Sequence, residues 1–223
     1  MIQLHTNDLG VFLTQNPKGK LIPNYLFELM NILKKESVKN LAEINNMDEH
    51  LSHIKDIVSM QQIIGGTSSV PEKIYIPELM DTALKMSVNP AKYKVKISKE
   101  YDKLPFITTD KSKLLQILVN LLQNAQDAVL KNSHEETKTV RIVAINGQDT
   151  IQIKVIDNGI GITKENIDRV FSFGFTTKEY GHGFGLHSSA LSAKDLGGSL
   201  KAQSEGLNCG AAFILTLPTG TKK

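Results

Sequence analysis

The chain has 223 residues, of which 40% are hydrophobic and 22% are charged, so its composition excludes fibrous, collagen-like and wholly disordered proteins. Its single cysteine, Cys209, excludes an intrachain disulfide and a thiolate metal cluster. The net charge of +3 is too small and too scattered for a nucleic-acid-binding face. No apolar run reaches the about 18 residues of a membrane span. We therefore expect a cytoplasmic protein, with no nucleic-acid partner and no membrane contact by this chain.

The first part of the chain is predicted to be helical. No proline or glycine occurs between Pro23 and Gly65, which indicates one long helix over 23–64. A shorter helix and a turn over 16–19 precede it, so we predict a helical hairpin over 1–66. The apolar residues of the long helix recur at steps of three and four, as in the seam of a helix bundle: Leu26, Leu29, Leu33, Leu41, Ile44, Met47, Leu51, Ile54 and Val58. Because so short a first helix cannot cover this seam, we expect a homodimer through the hairpin.

Helices and strands alternate in the second part of the chain, after a glycine- and serine-rich linker. Helices are predicted over 77–88, 110–131, 163–170 and 185–196, and strands over 93–98, 139–145, 151–156, 199–204 and 212–217. The last strands are close enough in sequence to form hairpins. We therefore predict an α+β fold over 72–219, a two-layer α/β sandwich whose mixed, largely antiparallel sheet is covered by helices on one face.

Three clusters of residues carry candidate chemistry. Asn120 and Asn124 are one turn apart in an apolar helix, which places both amides on one face. Asp157 begins the run DNGIGI directly after a predicted strand. A glycine-rich loop over 171–185 contains Lys178 and enters a helix, an arrangement that favours an anion. Taken singly, the clusters are also typical of solvated amides, a hairpin turn and a flexible loop.

Familiar nucleotide and hydrolase motifs do not occur in the sequence. There is no GxxxxGK[ST], and the run GHGFGL at 181–186 departs from GxGxxG, which excludes P-loop and Rossmann sites. The absence of HExxH and GxSxG leaves metalloprotease and α/β-hydrolase chemistry without support.

In this order, the clusters resemble the ATP-binding domain shared by sensor histidine kinases, the type II topoisomerase, mismatch-repair and heat-shock chaperone ATPases, and the mitochondrial dehydrogenase kinases. The resemblance extends over 72–218 and implies the Bergerat-type ATP-binding fold. The run NLLQNA at 120–125 resembles the N box, DNGIG at 157–161 the first glycine box, 170–178 the F box and 181–185 the second glycine box. Gly206 and the run GAAF at 210–213 resemble the last box.

The resemblance implies that the domain binds ATP and Mg²⁺. Asp157 would accept a hydrogen bond from the adenine amine, and Asn124 would be the metal ligand. Asn120 and Lys178 would hold catalytic positions, with Lys178 on the γ-phosphate. The residues implied to contact the nucleotide are Asn120, Asn124, Asp157, Gly159, Gly161, Ile162, Phe171, Thr176, Thr177, Lys178, Gly181, His182, Gly183, Phe184, Gly185 and Leu186.

Asn120 stands where the ATPases of this family carry a glutamate general base. An amide cannot take a proton from water, so the resemblance points to a sensor histidine kinase. Such a protein would transfer the γ-phosphoryl group to an acceptor histidine and then to an aspartate of a response-regulator receiver domain. The resemblance also allows a membrane anchor elsewhere in the intact protein. The alternatives are an ATP hydrolase of the same fold and a nonenzymatic ATP-binding scaffold.

No histidine has the usual acceptor context, which is an acidic residue directly after the histidine on the first helix of the hairpin. His50 and His53 are interpreted as decorating a helix surface. His134 precedes an acidic residue but belongs to the polar stretch 132–138, which we interpret as a solvated loop. We therefore expect the acceptor upstream of Met1, as in the bacterial kinase subgroup that the segment 9–62 resembles.

Two positions depart from the family pattern. Asp127 stands where many of these kinases have a lysine near the phosphates, and Ala211 stands where a hydroxyl residue often joins the adenine water network. We expect these departures to affect nucleotide affinity and to leave the fold unchanged.

Overall fold

The computed structural model describes residues 8–64, 70–87, 94–178, 181 and 183–220. The chain divides into two compact units, Met1–Ile54 and Lys55–Lys223. The domain limits indicated by the sequence, 1–66 and 72–219, stay predictions. Within the described ranges, no helix is both long enough and apolar enough to cross a membrane.

The first unit is helical. Helix α1 (Leu9–Gln15) is followed by a turn of 3₁₀ helix (Gly19–Leu21) and by α2 (Ile22–Ile64), which is continuous as the sequence predicts. The turn is held by the Asn16 side chain, whose Oδ1 accepts a hydrogen bond from the Lys18 amide at 2.9 Å. From Tyr25 onward, the apolar side chains of α2 that the structure describes are exposed, including Leu26, Leu33, Leu41 and Met47.

Besides the end of α2, the second unit contains two sheets and four helices in the described residues. In chain order its elements are β1 (Glu72–Ile74), α3 (Ile76–Ser87), β2 (Lys96–Tyr101), β3 (Ile107–Thr109), α4 (Lys111–Lys131), β4 (Thr139–Asn146), β5 (Thr150–Asp157), α5 (Lys164–Ile167), α6 (Gly185–Asp195), β6 (Ser199–Gln203) and β7 (Ala211–Pro218). The large sheet has the order β2-β4-β5-β7-β6, in which only β2 and β4 are parallel. The predicted α+β class and mixed, largely antiparallel sheet are confirmed.

Helix α4 forms the centre of the core. Asp110 caps its N-terminus by accepting a hydrogen bond from the Lys113 amide at 3.0 Å. One face of the helix is fully buried and packs on α3, α6 and the central strands β4 and β5: Leu114, Ile117, Leu118, Leu121, Leu122, Ala125 and Val129. This face positions the polar residues of α4 that lie beside it.

Strand β5 determines where Asp157 points. Ile151, Ile153 and Val155 alternate along the strand and are completely buried under the helices. Because side chains of a strand alternate between the two faces, Asp157 continues this inward series at the end of the strand. Its carboxylate therefore faces the helical layer.

Three local details differ from the sequence analysis. The strand predicted over 93–98 is observed at Lys96–Tyr101. The helix predicted over 163–170 ends at Ile167, because i to i+3 turns follow it, with the Ser172 amide bonded to the Arg169 carbonyl and the Phe175 amide to the Ser172 carbonyl. The sequence analysis also missed β1 and β3, which are three residues each and pair antiparallel. Strands this short carry too little alternation to be recognised from sequence.

Candidate functional site

Asp157 lies at the floor of the candidate site with only 6% of its surface exposed. Its Oδ1 accepts a hydrogen bond from the Gly159 amide at 2.8 Å. Burial raises the pKa of Asp157 from 3.8 to about 6, and hydrogen bonds from the Gly159 and Ala211 amides counteract part of that rise. A carboxylate that is buried but ionised near neutral pH is a strong acceptor for a polar ligand.

Glycines allow the backbone to close around Asp157. A Cβ at Gly159 would lie 2.5 Å from the carbonyl carbon of Ala128 on α4, so only glycine fits against this helix. Gly210 has a φ of +69°, and a Cβ there would lie 2.0 Å from the Asp157 carbonyl oxygen. Gly159 and Gly210 thus allow α4 and the segment before β7 to lie close to the backbone around Asp157.

Asn132 holds the turn after Asp157 and was missed by the sequence analysis. It is 1% exposed, and its Nδ2 donates to the carbonyls of Asn158 and Gly159 at 2.9 and 3.0 Å. The interpretation of 132–138 as a solvated loop is therefore wrong at its first residue, which is buried because it pairs with carbonyls 26 and 27 residues away. The position of Asn132 directly after α4 was the sequence feature that could have identified it.

Ser204 connects the segment that follows Asp157 to the residue before β7, and the sequence analysis missed it as well. Its hydroxyl donates to the Gly210 carbonyl at 2.6 Å and accepts from the Ile162 amide at 3.0 Å. Gly161 precedes this contact with a φ of +69°. The three segments around Asp157 are thus bonded to one another.

The second part of the candidate site lies on α4. The Asn120 Nδ2 donates to the buried hydroxyl of Ser189 on α6 at 2.8 Å, and the Asn124 Nδ2 donates to the Asn120 Oδ1 at 3.3 Å. Gly185 begins α6 beside this pair, where a Cβ would lie 2.5 Å from the Asn120 Oδ1. The start of α6 and the two amides therefore share one location.

Lys178 contacts the same face of α4. Its Nζ donates to the Asn124 Oδ1 at 2.9 Å and to the Asp127 Oδ2 at 2.6 Å. The Lys178 and Asp127 side chains are 41% and 43% exposed, so solvent screens this ion pair. The predicted catalytic lysine and the predicted metal ligand are thus in direct contact.

The remaining predicted residues lie against the core or near the loop before α6. Phe171 and Leu186 pack against the core, and the Phe184 ring lies 4.9 Å from that of Phe173. The hydroxyl of the exposed Thr176 accepts from the Lys178 amide at 3.0 Å. The others lie in or beside the loop before α6, with Thr177 exposed and Gly181 and Gly183 half-buried. His182 lies outside the described residues.

The donors present fit a hard cation. Asn124 presents an amide oxygen, and the structure already places a cationic group, the Lys178 ammonium, against it. Within the ranges described, no three His, Cys, Asp or Glu side chains converge on one point. A metal on this face would therefore take one or two protein ligands, as Mg²⁺ does when substrate phosphates complete its shell.

Comparisons with known proteins place the chain in a family. Residues 109–221, just over half of the chain, match the family of histidine kinase-, DNA gyrase B- and HSP90-like ATPases. The two-component sensor PprA of Pseudomonas aeruginosa is 39% identical over 109 residues, which cover 47% of this chain and 12% of that protein. A probable C4-dicarboxylate sensor kinase of Halalkalibacterium halodurans is 28% identical over 191 residues, which cover 83% of this chain and 35% of that protein.

Solved structures agree on the fold. The nucleotide-free catalytic domain of the histidine kinase ThkA aligns with a TM-score of 0.60 at 24% identity, over 68% of this chain and 97% of that domain. Full-length ShkA in complex with AMPPNP aligns with a TM-score of 0.66 at 23% identity, over 76% of this chain and 36% of that protein. The chain belongs to the family of histidine kinase-, DNA gyrase B- and HSP90-like ATPases, in the form carried by sensor kinases.

Proposed function

We propose that the chain is the ATP-binding catalytic core of a sensor histidine kinase. It binds Mg·ATP with adenine against Asp157 and transfers the γ-phosphoryl group to an acceptor histidine of the intact protein. A response-regulator aspartate then receives the group. Family membership and the sensor-kinase relatives support this proposal.

Asp157 selects the base. Its ionised carboxylate accepts the exocyclic amine of adenine, whereas guanine would bring a carbonyl oxygen to the same place and leave the carboxylate unpaired. The carboxylate needs little rearrangement for this task, because the backbone amide of Gly159 already orients it. Low exposure keeps competing water away from the hydrogen bond.

Asn124 and Lys178 act on the phosphates. Asn124 would hold Mg²⁺ through Oδ1, and the metal would supply positive charge beside the phosphate oxygens. Lys178 adds a point charge to the γ-phosphate, to which its flexible four-carbon side chain can move. The amides of the first turn of α6 lie beside Asn120 and favour the same anionic groups.

The presence of an amide at Asn120 is the observation that favours a kinase over a hydrolase. Its amide is engaged at both ends, since Nδ2 donates to Ser189 and Oδ1 accepts from Asn124. A general base at this position would have to accept a proton from the attacking water, and a neutral amide does not. Transfer to an imidazole needs no such base, because the imidazole is itself the nucleophile.

The phosphoryl acceptor provides the test. We expect the intact protein to form acid-labile, base-stable phosphate from ATP, and its Asn124→Ala variant to form none. The chain itself is expected to bind ATP with Mg²⁺ while releasing little inorganic phosphate. Rapid phosphate release without a phosphorylated histidine would favour the hydrolase instead, and a chain that does not bind ATP would favour a nonenzymatic scaffold.

Helix α2 supports the proposed homodimer. Leu26, Leu33 and Leu41 lie on its exposed apolar seam, and a second copy would bury them. We expect a dimer by sedimentation at micromolar concentrations, and a monomer for Leu33→Glu. Asn31→Glu is the matched control, because it makes the same change of charge at an exposed position outside the seam and leaves the dimer intact. A wild-type monomer would contradict this assignment.

A further inference from the structure

Three oxygen-bearing side chains lie in a row on the accessible face of α4. Asn120, Asn124 and Asp127 are spaced four and three residues apart, so they follow one another along the helix. Asn120 is engaged with Ser189, which leaves the oxygens of Asn124 and Asp127 as the pair that faces Lys178. The Lys178 Nζ therefore contacts the Asn124 Oδ1 and the Asp127 Oδ2 at the same time.

We propose that Asn124 and Asp127 together form a cation seat in which Lys178 and Mg²⁺ are alternative occupants. Asp127 is then a second protein ligand of the metal, and Lys178 fills the seat when nucleotide is absent. This inference rests on the proposed binding of Mg·ATP. Beyond that proposed binding, it assigns a metal ligand that the family resemblance does not assign, and it adds a competition between the Lys178 side chain and the metal.

The donor set of the seat matches the preference of Mg²⁺. One carboxylate and one amide oxygen are hard ligands, and Mg²⁺ takes one or two carboxylates with phosphate oxygens and water. A lysine ammonium in the same place requires two oxygens directed at one point, which the distances of 2.9 and 2.6 Å satisfy. The Lys178 ammonium thus marks where a cation is held.

The two occupants are exchangeable because the seat is open. Lys178 and Asp127 are both about two-fifths exposed, so the ion pair is screened and its loss is easily compensated by solvent. When Mg²⁺ enters, Lys178 leaves Asp127 and becomes available to the γ-phosphate. Metal entry and the arrival of the lysine at the phosphate are therefore coupled through a single carboxylate.

The test measures the Mg²⁺ concentration that gives half-maximal binding of ADP. ADP lacks the γ-phosphate, so removing Lys178 takes no phosphate contact away. We expect Asp127→Asn to raise this concentration by about ten- to a hundredfold, the range typical of disturbed metal sites. Lys178→Met is expected to lower it, by up to about fivefold, because the competing cation is gone. Binding of Mn²⁺ in the presence of ADP, followed by electron paramagnetic resonance, should change in the same directions.

The matched control is the ion pair of Lys99 and Asp81, whose side chains have similar exposure, 42% and 51%. Asp81→Asn and Lys99→Met should leave the Mg²⁺ dependence unchanged. A wild-type Mg²⁺ dependence in Asp127→Asn would overturn the seat, as would tighter ADP binding that is independent of metal, since Asp127 would then only repel phosphate. Failure of the wild-type chain to bind ADP at any Mg²⁺ concentration would instead overturn the proposed function.

Discussion

The two ends of the proposed nucleotide site, named the base end and the phosphate end after the groups we propose they bind, are built differently. The base end, formed by Asp157, Gly159, Asn132 and Gly210, is buried and held by hydrogen bonds between backbone and side chains. The phosphate end, formed by Asn120, Asn124, Asp127 and Lys178, is partly exposed, and its polar groups bond to one another. The fold therefore prepares the base end before the ligand arrives, whereas the groups of the phosphate end must exchange partners to receive one.

The largest expected effect comes from adding one methyl group at the base end. Gly210→Ala should lower the free energy of unfolding by roughly 4 kcal/mol or more, because its Cβ would overlap the Asp157 carbonyl and the residue has a positive φ. Chemical denaturation measures this loss. If the variant does not fold at all, its failure to accumulate as soluble protein gives the same result.

Gly174 in the loop before α6 is the matched control for this effect. It has a φ of +73°, close to that of Gly210, but no atom lies within 4 Å of its added Cβ. Gly174→Ala should therefore show only the conformational cost of a left-handed alanine, about 1–2 kcal/mol. Equal losses in the two variants would show that the base end is no more tightly built than this loop.

The buried carboxylate of Asp157 should make the stability of the free chain depend on pH. Its pKa is about 6 in the folded chain, against an ordinary value of 3.8 for a solvated aspartate, so the folded state binds more protons between these values. The contribution of Asp157 to stability is thus fully present below pH 3.8 and is lost as the pH rises through about 6. The difference amounts to at most about 3 kcal/mol.

Asp157→Asn isolates this contribution, because the amide does not titrate. The free energy of unfolding of the variant, relative to wild type, is expected to increase as the pH rises from about 4 to about 7. A constant loss of about 1 kcal/mol, for one lost backbone hydrogen bond, is expected at every pH. Thermal melts across this range measure the difference. A difference that is constant with pH would show that the carboxylate is not as buried as the base end requires.

Nucleotide affinity should also depend on Asp157. Asp157→Ala removes a charge-assisted hydrogen bond to adenine of about 1.5–3 kcal/mol, which corresponds to roughly ten- to a hundredfold in affinity. Calorimetric titration with ATP and GTP measures both the loss and the preference for adenine. Equal affinity of the wild-type chain for the two nucleotides would contradict the assignment of the base end.

The sequence by itself determined the faces of the elements. The cap at Asp110 and the apolar period of α4 place Asn120 and Asn124 together, and the alternation of β5 places Asp157 towards the helices. Both depend on periods of two to four residues, which neighbouring side chains encode directly. The long uninterrupted helix α2 follows from the same local rules and from the absence of glycine and proline after its first turn.

The tertiary structure alone decided which groups meet. Asn132 reaches carbonyls 26 and 27 residues away, Asn120 reaches Ser189 at a separation of 69, and Lys178 reaches Asp127 at 51. These contacts depend on the strand order β2-β4-β5-β7-β6 and on the packing of α6 against α4. No local pattern encodes such pairings, because a buried polar group finds its partner only when distant segments are brought together by burial of the apolar faces between them.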